Sequence, residues 1–166
     1  MSPHKSGTAA YLRWIIASEY YDGSVAGIGE RAADGAAVWF RAVGWDDEQW
    51  RRVFAVTTVE PSLSERLVQN LEKVEPRKMP FWLPGPDSAT PDVKKVWDEI
   101  VGAAASSDRW SLVEAHDLNE ESVEHPVTPA DVSQLVAAVR AGVVLEVRAA
   151  ASLTDGVLQQ IRSQAG

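Results

Sequence analysis

Between Tyr11 and Val59 the chain carries four β-rich segments separated by turn residues, and this pattern restricts its folds more than any other feature. From Tyr11 to Tyr21, Leu12, Trp14, Ile16 and Tyr20 alternate against Arg13 and Glu19. Ile15 and Ala17 make the second face partly apolar, as in a strand covered on both sides. Asp22-Gly23 supplies turn chemistry, Val25 to Glu30 reads as a short strand, and Asp34-Gly35 supplies a second turn. "AAVWFRAVGW" (36–45) and "RRVFAVTTV" (51–59) are rich in the β-branched and aromatic residues that suit a pleated surface. Four strands joined by short turns predict an antiparallel meander.

Gly27-Ile28-Gly29 has the first two glycines of a dinucleotide-binding loop, but Ala32 and Ala33 follow and the third glycine is missing. The next segment reads as a strand, whereas a phosphate cradle needs a helix N-terminus there. Gly27 and Gly29 are therefore expected to be strand glycines on one face, next to a bulge or a close neighbour.

The second half reads as helices. Ser62-Leu63-Ser64-Glu65 has capping-box spacing, with Leu63, Leu67, Leu71 and Val74 as its apolar stripe. Thr90-Pro91-Asp92 starts a second helix, whose Val93, Val96, Trp97, Ile100, Val101 and Ala104 share a face. Thr128-Pro129-Ala130-Asp131 repeats the device before Val132, Leu135, Val136 and Val139, and Gly142 offers the stop. Ser152 to Gln164 predicts a terminal helix. "DRWSLVEAH" (108–116) predicts a fifth strand; 143–148 reads as a sixth strand or a helix, with alternation favouring the strand, while "RKMPFWLPGP" (77–86) is expected to be an irregular aromatic loop because of its prolines. The fold class expected is α+β: an antiparallel β-meander of four to six strands with three to four helices packed on one face. Residues 1–9 are expected to be a flexible tail and 10–166 a single domain.

A chain of 166 residues can bury a core without disulfides or metal, and it has no cysteine, so disulfides, thiolate metal sites and a cysteine nucleophile are excluded. The net charge of −8 argues against nucleic acid as a partner and favours a protein with a basic surface. No run approaches a membrane span and no secretory signal opens the chain, so a cytoplasmic protein without membrane contact is expected.

Two clusters could carry function. "GWDDEQW" places Asp46, Asp47 and Glu48 between Trp45 and Trp50 at a hairpin end, and Trp82 sits between prolines; tryptophans beside acids suit a protein-binding surface. The bland alternative is that the tryptophans cover the core rim and the acids are solvated. The second cluster holds Glu114 and His116 on one strand face, with Asp117, Glu120, Glu121, Glu124 and His125 following. Its spacing fits no named metal motif, so Glu114, His116 and His125 are only a weak metal alternative, a solvated acidic loop is the bland reading of this acid-rich stretch, and no metal or other cofactor is expected. A small hydrolase or transferase using carboxylates with His116 or His125 is the enzymatic alternative; no catalytic residue is assigned.

"SEYYDG" followed by "VWFRAVGWDDEQWRRVFAV" resembles small bacterial proteins with a Y-Y-D-G turn and a W-F-R strand, over about residues 11 to 60. The resemblance implies no assigned activity and no catalytic residue. The small, acidic, cysteine-free character is also similar to that of bacterial immunity proteins, which implies a non-enzymatic role in binding a toxin.

Overall fold

A computed structural model describes residues 8–20, 24–31, 34–46, 51–74, 81–82, 91–115, 121–142, 145–146 and 153–165. In chain order the elements are β1 (Thr8–Tyr20), β2 (Ser24–Arg31), β3 (Ala37–Asp46), β4 (Arg51–Thr58), α1 (Pro61–Val74), β5 (Phe81–Trp82), α2 (Pro91–Ala105), β6 (Ser111–Ala115), β7 (Glu121–Pro126), α3 (Pro129–Ala141), β8 (Leu145–Glu146) and α4 (Leu153–Ala165). The class is α+β, as the patterning predicts.

The meander does not stay open. β1 pairs with β2, β2 with β3, β3 with β4, β4 with β6, β6 with β7, and β7 returns to β1 from Thr8↔Glu124 to Tyr11↔Glu121, every pairing antiparallel. Six strands thus form a closed barrel, which removes the exposed edges that an open sheet would have to protect. β5 joins β1 at Ile16 and Ala17, and β8 joins β3 at Gly44 and Trp45, both in parallel. Each extends its long strand beyond the reach of the ring neighbour on that side.

Alternation along the strands divides the core in two. Val38, Phe40, Ala42, Phe54, Val56 and Val113 form a cluster supplied only by strands, which is the barrel interior. Phe40 and Phe54 meet edge to face with centroids 5.9 Å apart, a geometry that contributes about 0.5–1.5 kcal/mol beyond burial. Gly27 pairs with Phe40 and Gly29 with Val38, so the two glycines stand on this inner face opposite bulky neighbours. Small residues opposite large ones suit the narrow interior of a small barrel. Both glycines are strand glycines as expected, and no helix follows them.

The outer face of β3, β4 and β6 supplies Trp39, Val43, Val53, Ala55 and Leu112 to a larger cluster with Leu67, Val96, Ile100, Leu135, Val157 and Ile161 of the helices. A bulge between Ala42 and Gly44 turns both Val43 and Gly44 toward the helices. Gly44 is needed there because a Cβ would run into the Val157 side chain of α4. Trp39 packs edge-on against Trp110, whose indole N–H donates to the Ser107 carbonyl. The Thr57 hydroxyl donates to the Arg109 carbonyl at 2.7 Å, tying the connection from α2 to β4.

Several local expectations are corrected. α1 begins at Pro61, so the proline at the first helical position sets the start and Ser62 lies inside the helix rather than capping it. Phe81 and Trp82 form a strand despite the flanking prolines, because two residues suffice to extend β1. Glu121 to Pro126, grouped above with a solvated acidic loop, is the strand that closes the barrel. Of 143–148, only Leu145–Glu146 lies within the described residues, and it is a strand. Thr8 and Ala9, placed in the tail, already pair within β1. Asp22-Gly23 lies outside the described residues, whereas Gly35 adopts φ 71° and its N–H donates to the Arg31 carbonyl, as a turn glycine should.

α3 starts and stops where the sequence indicates, with Pro129 in its first turn and Gly142 left-handed at its end. Its first turn differs in one respect. The Thr128 hydroxyl donates to the Asp131 carboxylate at 3.1 Å instead of capping a backbone N–H. Arg162 of α4 donates to both Asp131 oxygens, at 2.9 and 2.7 Å, and these bonds hold the Asp131 carboxyl below its ordinary value despite burial, which opposes the shift. A depressed folded value means that the pair stabilises fully above the unfolded carboxyl range near ~4 and loses that contribution as pH falls through the folded value. Asp131→Asn should therefore lower the urea midpoint at pH 7, and the gap to the native chain should narrow steadily below about pH 4. A gap independent of pH would show that the pair does not titrate in this way.

Candidate functional site

Antiparallel order leaves Glu124 and His125 toward one mouth of the barrel and brings the end of the first cluster, Trp45-Asp46, and the Glu114 end of the second to the other. β1, β3 and β6 end there, at Tyr20, Asp46 and Ala115, and β2, β4 and β7 begin there, at Ser24, Arg51 and Glu121. Trp45-Asp46 closes β3, Arg51-Arg52 opens β4, and Glu114-Ala115 closes β6, with register pairs Trp45↔Arg52, Asp46↔Arg51 and Arg52↔Ala115. The proximity of hairpin ends 60 or more positions apart follows from the β4–β6 pairing.

The mouth has two faces. Trp45 and Arg52 continue the inward-facing positions and are half-buried, above Phe54 on the same strand face. Asp46, Arg51 and Glu114 share the outward face. Asp46 is only 4% exposed, so it anchors the rim and cannot present its charge to solvent as the sequence pattern suggests. The Arg51 Nε–H donates to Glu114 Oε2 at 3.2 Å, joining β4 to β6. Trp82 lies in β5 beside Ala17 of β1, on the half of the barrel nearest this mouth. Asp47, Glu48, Trp50 and His116 lie outside the described residues.

Glu114 and His125 alone do not make up a metal site. Glu114 pairs with Val123 and His125 with Leu112, which leaves the two on a diagonal of the outer face, with His125 toward the opposite mouth. Diagonal neighbours are about 7–8 Å apart, within reach of long side chains, so the two supply at most a pair of ligands, and His116, the third residue of that alternative, lies outside the described residues. Among the described residues no group of three or more histidines, aspartates and glutamates could hold a metal.

The opposite mouth carries a pair that sequence reasoning missed. Arg31 of β2 donates to Glu124 of β7 at 2.8 Å and lies 3.6 Å from Asp34 in the adjoining turn. Arg31 follows Gly27 and Gly29 at strand spacing and Glu124 pairs with Val113, so both are on the inward face and bridge the end of the interior. Their separation of 93 positions leaves no local signal. Arg51 and Arg52 were also passed over, although two adjacent bases after "WDDEQW" are visible in the sequence.

No protein-family model, curated protein or solved structure matches this chain. What the geometry defines is a class: an α+β protein on a closed six-stranded antiparallel barrel, with an interior packed by aromatic and branched side chains and helices on one side. No helix among the described residues is long and apolar enough to cross a membrane.

Proposed function

We propose that the protein is a non-enzymatic binding module that engages a basic protein surface through the mouth at which Trp45 stands, with Asp46 anchoring the rim and Asp47 and Glu48 following it in sequence. The convergence of the β3–β4 and β6–β7 hairpin ends at that mouth carries the reading, because it sets the tryptophan-flanked acids that begin at Trp45 beside the acid-rich segment that begins at Glu114. Phe40 and Phe54, both fully buried, occupy the interior, which supports contact at the rim over capture of a small molecule inside. Tryptophan and acids have separate roles in this reading. Trp45 contributes contact area, whereas Asp47 and Glu48 steer a basic partner during approach. Trp82, in β5 beside Ala17, is on the half of the barrel nearest the same mouth. Inhibition of a basic toxin domain in the bacterial cytoplasm is the setting that fits these features.

The test uses the full chain to capture partners from bacterial lysate, followed by binding kinetics with the purified captured protein. Trp45→Ala should weaken binding about tenfold or more through the off-rate with the fold retained, and Asp47→Lys with Glu48→Lys should slow association. A captured partner that binds these variants as it binds the native chain would contradict the assignment.

A further inference from the structure

The four helices differ in how they face solvent. The exposed positions of α2 include Lys94, Lys95, Asp98 and Glu99, and those of α4 include Asp155 and Arg162, as amphipathic helices require. α3 does not follow this rule. Its one carboxylate, Asp131, is turned inward to Arg162, and its exposed positions are Pro129, Ala130, Ser133, Ala137, Arg140 and Ala141. A helix that is apolar nearly all round normally has neighbours on every side.

Along this uncovered face runs a groove of about 870 Å³ between α3 and the end of α2, predominantly apolar, with Val132, Val136, Ala137 and Ala105 in its walls. Two opposite charges line it, Asp108 and Arg140, both exposed and neither in an ion pair with a described residue. Their places along the groove differ. The Val127 N–H donates to the Trp110 carbonyl just before α3 begins, so the segment bearing Asp108 runs beside the N-terminal end of α3, while Arg140 is in its last turn.

We infer that this face is the interface of a symmetric dimer, in which α3 packs antiparallel against α3 of a second copy and Arg140 of each copy pairs with Asp108 of the other. A two-fold axis makes each contact occur twice, and an antiparallel crossing brings the C-terminal end of one α3 to the N-terminal end of its mate. That crossing sets the two charges opposite each other reciprocally. Ser133 and Ala137, one turn apart, allow the helices to approach closely. The net charge of −8 on each copy opposes association, so micromolar rather than nanomolar affinity is expected. This interface is on the helical side and is independent of the proposed binding mouth.

Sedimentation equilibrium over a concentration series tests the inference with the full chain. The native chain should pass from monomer to dimer at micromolar concentration. Ala137→Glu, which places a carboxylate on the face without disturbing a buried position, should be monomeric with unchanged circular dichroism. Arg140→Glu should raise the dissociation constant about tenfold or more, and adding Asp108→Arg should restore it. A native chain that is monomeric up to roughly millimolar concentration, leaving the groove to some other occupant, would overturn the inference. So would a dimer that survives Ala137→Glu, or a charge reversal that the second substitution fails to rescue.

Discussion

Phe54→Ala should lower the free energy of unfolding by about 3–5 kcal/mol, among the largest losses expected of a single substitution in this chain. Phe54 is fully buried, stands in the barrel interior, and meets Phe40 edge to face. The ring is held by six strands in closed pairing, so the walls have little freedom to collapse into the space that truncation leaves. The cost should accordingly lie toward the upper end of what cavity-forming substitutions show. Since domains of this size are typically stable by only about 5–15 kcal/mol, the variant should unfold at much lower urea with an unchanged slope. Leucine in the same position should restore most of the loss. If Phe54→Ala cost less than about 1 kcal/mol, the interior would not be packed as the strand register requires.

Gly44→Ala should destabilise by about 1–3 kcal/mol, although alanine is the smallest side chain that can be added. The bulge in β3 turns this position toward α4, where a Cβ would meet the Val157 side chain and lie 3.3 Å from the Leu145 carbonyl oxygen. Valine is stiff about its first torsion and the second neighbour is backbone, so neither yields cheaply. α4 must shift, and with it the packing of Val157 and Ile161. Val157→Ala removes the obstruction, so the double variant should be more stable than the sum of the two single effects predicts. Strict additivity would separate Gly44 from α4.

The features legible in the sequence were those set by neighbours within a few residues. The four meander strands follow from alternation and Asp-Gly turns, and α2 and α3 from proline at their starts. Closure of the barrel was not legible, because β7 reads as an acidic connection. Its Glu124 is accommodated in a strand by Arg31, a partner far away in sequence. Prolines hid β5 for a related reason: a strand of two residues needs no uninterrupted run. At the candidate site, the hairpin ending in Trp45-Asp46 was readable, but the burial of Asp46 depends on how the rim is packed against adjoining strands. The apolar outer face of α3 was disguised by Asp131, which looks like a solvent-facing acid until Arg162 is seen to hold it inward.

Both the filled interior and the convergence of the hairpin ends rest on the sheet being closed, and the seam between the first and last strands of the ring can be tested directly. Ala10 pairs with Ser122 across it, and residues directly opposite in antiparallel strands have Cα atoms about 4.5–5.5 Å apart, within the reach of a disulfide. The natural chain has no cysteine to interfere. In the folded Ala10→Cys/Ser122→Cys variant, mild oxidation should consume both thiols in a single bond within one chain, seen as faster migration without reductant. Thiols that stay free in the native state and react only after unfolding would show that β1 and β7 do not meet and that the sheet is open.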